Sequence, residues 1–132
     1  MKHASLQPFT AAALAAIALV AGGCGGGDTF RTQRPVLRVT LDEYRIVPQD
    51  IEVKAGRMKL EVRNTGRLTH NLAIQVPGGP NDKPTQIARV ATMQPGQTAA
   101  PVKVTLAPGE YRLVCTIANH DDLGQFGTLK VR

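Results

Sequence analysis

His70, Cys115 and His120 are the only imidazoles and thiol that this 132-residue chain carries beyond residue 24. Cys115 and His120 are separated by four residues in the run CTIANHDDLGQ, a spacing that lets a loop leaving one strand fold both side chains onto a common centre. His70 follows a separate break in the chain and closes the set from a neighbouring strand. Two imidazoles and one thiolate in a trigonal plane, with a weak axial donor, suit copper in an electron-transfer site. Thiolate favours Cu(I) and imidazole accommodates both oxidation states, so a fixed compromise geometry lets the metal change charge with little reorganisation. Zinc would also fit, without redox work. Taken singly, each histidine reads as a satisfied polar residue of a sheet, and Cys115 as a small buried hydrophobe; spacing, thiol and strand context together point to a metal.

The thiol also has to survive its compartment. Residues 1–23 read as an export signal, with Lys2 ahead of the apolar stretch Ala11 to Ala21 and small residues after it, too short and Ala-rich for a spanning helix. Two processing routes are open: cleavage after a small residue such as Ala21, or cleavage before Cys24 in the run VAGGC, which is similar to a bacterial lipobox except that Ala stands where Leu is usual. The lipoprotein route is favoured, because Gly25 to Gly27 suit a flexible tether leaving a membrane surface, and a multi-chain lipid anchor holds stably. With Cys24 lipidated or removed, Cys115 is the one remaining thiol in an oxidising environment, and metal ligation is a reason for it to persist.

The elements that must position these residues are strands. After a Gly-led tether over 24–35, a single domain over 36–132 consists of short period-two runs separated by turn residues. Val36–Leu41, Ile51–Lys54, Met58–Arg63, Asn71–Val76, Val102–Leu106, Tyr111–Cys115 and Leu129–Val131 read as strands, with Ile87–Met93 an irregular edge. Met58, Leu60 and Val62 share a dry face while Lys59, Glu61 and Arg63 face water. The count predicts an all-β, Greek-key β-sandwich of about seven to eight strands. Parity puts Tyr111, Leu113 and Cys115 on one face, so Cys115 should point inward at the end of a core strand. Met58 reads as core and Met93 as a loop residue. With no Trp, two Tyr and three Phe, the interior is aliphatic and has no room for a large substrate cavity.

The chain resembles the cupredoxins over most of 36–132. The resemblance is carried by Asn64, Gly66, His70 and Asn71 in NTGRLTHNLAI, and by YRLVCTIANHDDLGQ after the turn PGE. It implies one type 1 copper ion held by His70, Cys115 and His120, with Asn71 bracing the ligand loop through hydrogen bonds. The axial methionine usual in that family, five residues beyond the second histidine, is here Gln125. The phytocyanins of stellacyanin type have glutamine there, and HDDLGQ resembles theirs, but their disulfide is missing because Asp121 stands where a cysteine would. The alternative is that Gln125 faces solvent and the axial place is empty or filled by a backbone carbonyl. Leu123, Ala118 and Pro77 are implied, by analogy with relatives, as an apolar rim around an edge-exposed His120.

The function implied is that of an exported single-electron carrier, a monomer serving redox partners such as cytochromes or an oxidase, and attached to the membrane through Cys24. The alternatives are a copper storage or delivery protein and a non-redox interaction domain. Carriers that hand over copper often use clusters of exposed Met and His, which this chain lacks. Catalysis is not expected, since two histidines cannot supply both a type 1 centre and the second copper site of an oxidase or nitrite reductase. Removing Lys2 with the leader lowers the 16 basic residues to 15 against ten acidic ones, near +5. These positive charges are spread singly along alternating strands, so nucleic acid is not an expected partner.

Overall fold

In a computed structural model, residues 27–132 are described; the export signal and Cys24 lie outside the described residues. Among the described residues, ten strands run in the order β1 (Phe30–Thr32), β2 (Val36–Asp42), β3 (Arg45–Val47), β4 (Asp50–Val53), β5 (Gly56–Asn64), β6 (His70–Val76), β7 (Thr85–Met93), β8 (Val102–Leu106), β9 (Gly109–Val114) and β10 (Phe126–Val131). They form a six-stranded sheet, β1-β4-β10-β9-β6-β7, and a four-stranded sheet, β3-β2-β5-β8. The fold is the expected β-sandwich.

Alternation explains why these segments pair as they do. In β5 the inward residues Met58, Leu60, Val62 and Asn64 are buried while the intervening side chains are not. Leu37, Val39 and Leu41 of β2 meet Met58, Leu60 and Val62 in one core with Leu72 and Ile74 of β6, Leu113 of β9 and Leu129 of β10. Each such side chain contributes about 1.5–3 kcal/mol by leaving water. β6 lies between β9 and β7 and is buried through its first five residues, so it lacks a wet face. Ile87–Met93 belongs to β7, which is an edge strand as expected, with register irregularities against β6. Met93 is buried within it rather than in a loop.

Two short strands were not visible as patterns. Phe30–Thr32 pairs in parallel with Ile51–Val53, so the ordered sheet reaches back into the stretch 24–35 that reads as a tether. Arg45–Val47 returns antiparallel along Thr40–Asp42 and buries only Ile46. Three residues are too few to display a period, and these pieces owe their conformation to backbone pairing with longer neighbours.

The start of β10 is fixed by a close backbone approach. Thr128 N–H donates to Gln49 O at 2.9 Å, and Gln49 Nε2 donates to Phe126 O at 3.1 Å. Gly127, between them, leaves no space for a Cβ against the Gln49 carbonyl. Gly127→Ala should therefore cost about 1–3 kcal/mol through forced backbone displacement. Urea unfolding should show a lower midpoint at unchanged slope; an unaltered midpoint would contradict this packing.

Candidate metal centre

Strand register delivers the site residues to one end of the sandwich. β6 and β9 pair with Ala73 opposite Val114 and Ile74 opposite Leu113; continuing that register sets Asn71 opposite Thr116, just past Cys115. β10 and β9 pair with Phe126 opposite Val114, and the next step sets Gln125 opposite Cys115. The two are joined there, Cys115 N–H donating to Gln125 O at 3.1 Å. Gln125 N–H in turn donates to His120 O at 3.0 Å. Backbone hydrogen bonds thus tie residues 115, 120 and 125 to one another. The return of the chain uses a positive φ at Ala118 (46°) and at Gly124 (114°), the latter a conformation glycine accepts without penalty.

The ligand-type atoms of His70, Cys115 and His120 all lie within 4.8 Å of one another. Cys115 Sγ is 3.7 Å from His120 Nδ1, and the two imidazole rings are 5.1 Å apart, centre to centre, at 64°. A trigonal ion with metal–nitrogen distances of about 2.0 Å and metal–sulfur of about 2.3 Å holds its donors roughly 3.5–4 Å apart. The sulfur–nitrogen pair already has that separation. His70 and Cys115 are fully buried and His120 is half-buried.

Most buried polar groups here are paired. Asn64 Nδ2 donates to Leu68 O (2.7 Å) and Met93 O (3.1 Å), while its Oδ1 accepts from Gly66 N–H (2.9 Å); this shapes the loop that delivers His70. Asn71 Oδ1 accepts from Thr116 N–H at 2.8 Å and its Nδ2 donates to Thr116 Oγ1 at 3.0 Å, tying the His70 strand to the chain after Cys115. Gln125 does not face solvent. Its Nε2 donates to Asp42 O at 2.7 Å and lies 3.4 Å from Arg45 O. Those two carbonyls demand the amide nitrogen on their side and so turn Oε1 the other way.

Among the described residues, the buried side-chain polar atoms without a protein partner are both ring nitrogens of His70 and Gln125 Oε1. A buried acceptor or donor left unpaired costs about 1–3 kcal/mol. All three orphans belong to the site, and the thiolate and imidazoles beside them form a soft, mixed donor set. This arrangement fits a copper ion, whose bond to one ring nitrogen of His70 would relieve part of that cost.

One turn that sequence reading missed contacts much of this site. Asp42 pairs with Arg45 across a tight hairpin whose tip is Glu43 and Tyr44. Tyr44, at φ 55°, sets its ring edge-on to His120 with centroids 5.3 Å apart. Glu43 Oε1 lies 3.9 Å from His70 Nε2. An available signal was Asp42 ending the alternating run, since aspartate favours the first position of a tight turn. Of the expected apolar rim, Leu123 is half exposed, and Ala118 and Pro77 are exposed.

The sequence matches the family described as cupredoxin-like domain over residues 10–126. No curated protein sequence matches the chain. Solved structures with similar folds include auracyanin from Roseiflexus castenholzii, 22% identical with a TM-score of 0.66 over 76% of this chain and 99% of that one. Auracyanin A from Chloroflexus aurantiacus, described as a "blue" copper protein, is 21% identical with a TM-score of 0.63, covering 74% and 98%. Rusticyanin from Thiobacillus ferrooxidans is 18% identical with a TM-score of 0.63, covering 83% and 86%.

Burial holds the His70 pKa below its ordinary value, and the neighbouring His120 adds to the effect; Glu43, the Gln125 amide and Asp42 oppose it. In the metal-free protein the unfolded chain then binds more protons than the folded one between the folded pKa and the ordinary value of about 6.5. Stability is full above that value, falls as pH drops below it, and levels off below the folded pKa. Urea unfolding of the metal-free protein between about pH 8 and pH 5 should show this fall, and His70→Gln should flatten it. A slope unchanged by His70→Gln would contradict the assignment.

Proposed function

Because this chain belongs to the cupredoxin-like domain family, we propose that it is a single-electron carrier built on one copper ion, held by His70, Cys115 and His120 with Gln125 Oε1 as a weak fourth donor. The observation that carries this reading is the convergence of the three donors within 4.8 Å beside buried, partnerless atoms of His70 and Gln125. Copper supplies the reversible one-electron change between Cu(II) and Cu(I). The protein's part is to keep the donors where they are in both states. His70 is clasped between Asn64's loop and Asn71, the 115–125 loop is closed by its own backbone, and Gln125 is anchored on Asp42.

His120 is the site residue that reaches the surface, so it is the natural exit for the electron, beside the exposed Leu123. Burial of His70, Cys115 and Gln125 speaks for a carrier over a copper-delivery protein, because a recipient's ligands could approach from the His120 side alone. The redox partners belong to this reading too: exported electron-transfer proteins such as cytochromes or an oxidase, met by a monomer that Cys24 anchors to the membrane. Cys24→Ala should move the full-length protein from the membrane fraction to the soluble one; unchanged membrane association would refute the anchor.

Adding Cu(II) to the purified domain should give intense blue colour and a small copper hyperfine splitting by EPR, both lost in Cys115→Ser. A colourless complex, or colour retained by that variant, would refute the reading. An amide oxygen is a harder donor than a thioether and favours Cu(II), so Gln125→Met should raise the reduction potential measured by voltammetry. No change, or a fall, would count against Gln125 as the fourth donor.

A further inference from the structure

Glu43 belongs neither to the apolar core nor to the sequence pattern of the site, yet its carboxylate is fixed in place. Glu43 Oε1 accepts hydrogen bonds from the backbone N–H groups of Arg67 and Leu68, the latter at 2.8 Å. The seat is completed by Gly66, where a Cβ would stand 2.5 Å from the same oxygen. Gly66, Arg67 and Leu68 form the loop that leads into His70. The seated oxygen lies 3.9 Å from His70 Nε2, a ring nitrogen with no protein partner in hydrogen-bonding range.

We propose that Glu43 is the positioning residue for His70: its carboxylate faces the Nε2 proton, leaves Nδ1 as the nitrogen available to the metal, and holds a fixed negative charge beside the centre. This role rests on the copper reading of the site. A ligand imidazole whose second nitrogen faces a carboxylate is oriented, fixed in one tautomer and made a stronger donor. A nearby anion also favours the more highly charged ion. Glu43 would thus act in the same direction as Gln125, toward Cu(II) and a lower potential. The hairpin whose carbonyls hold the Gln125 amide also carries Glu43 and Tyr44, so one turn contacts Gln125, His70 and His120.

The test uses Glu43→Gln, which keeps an oxygen for Arg67 and Leu68 but removes the charge, with Glu110→Gln as a control at a carboxylate paired to Lys130 on the strand surface. Glu43→Gln should stay blue when loaded with Cu(II), and the preference for Cu(I) over Cu(II) should rise on the order of tenfold, read in voltammetry as an upward shift of about 59 mV. Glu110→Gln should not shift it. An unchanged potential in a blue Glu43→Gln protein overturns the proposal while leaving the carrier reading intact, whereas absence of blue colour in the wild type refutes the carrier reading. Nitrogen-15 NMR of metal-free wild type gives a readout independent of copper: the neutral His70 ring should carry its proton on Nε2, and a proton on Nδ1 overturns the proposal.

Discussion

Three buried polar atoms with no protein partner, the two ring nitrogens of His70 and the amide oxygen of Gln125, are the constraint around which this sandwich is arranged. At about 1–3 kcal/mol each, they take a large share of the roughly 5–15 kcal/mol that separates a folded domain from its unfolded chain. An apolar residue at either position would pack at lower cost. What keeps the polar ones in place is the frame around them: a core of aliphatic side chains from both sheets, and hydrogen bonds that satisfy the neighbours Asn64 and Asn71. Among the described residues the polar deficit is confined to one spot, and a metal ion there would meet part of it.

The same frame bears on the proposed carrier role, which requires a site that changes charge cheaply. Each side chain of the site is held by contacts within the protein. His70 begins β6, which lies between two other strands. Cys115 and Gln125 continue the register of β9 and β10 and share a backbone hydrogen bond. His120 is restrained by the Gln125 N–H on its carbonyl and by the edge of the Tyr44 ring. In the proposed carrier, side chains fixed from outside would not relax toward the geometry preferred by either oxidation state, so little structural energy would separate the two.

Much of this was legible in the residue order. Period-two alternation located seven of the strands and left Ile87–Met93 as an irregular edge, and the parity of Tyr111, Leu113 and Cys115 set the thiol inward, where it is found. The meeting of His70, Cys115 and His120 could be anticipated from residue type and spacing, and the family resemblance singled out Gln125, which is buried beside Cys115. The hairpin at Asp42–Arg45 left only the turn signal of Asp42, and its contacts with the site could not be anticipated. Its return strand buries a single side chain, Ile46, and Glu43 and Tyr44 act on histidines 27 and 76 positions further along the chain. Such contacts exist only once the two sheets have closed, and no local pattern encodes them. Phe30–Thr32 escaped for a related reason, since it is a strand only by virtue of its partner β4.

If His70, distant in sequence, joins Cys115 and His120 in clasping one ion, the copper itself must register all three. X-ray absorption at the copper edge of the loaded protein tests this most directly, because it counts donors by element without reference to fold. One thiolate sulfur and two imidazole nitrogens are expected around the copper. A shell of light atoms without sulfur, or with a single imidazole, would contradict the shared site.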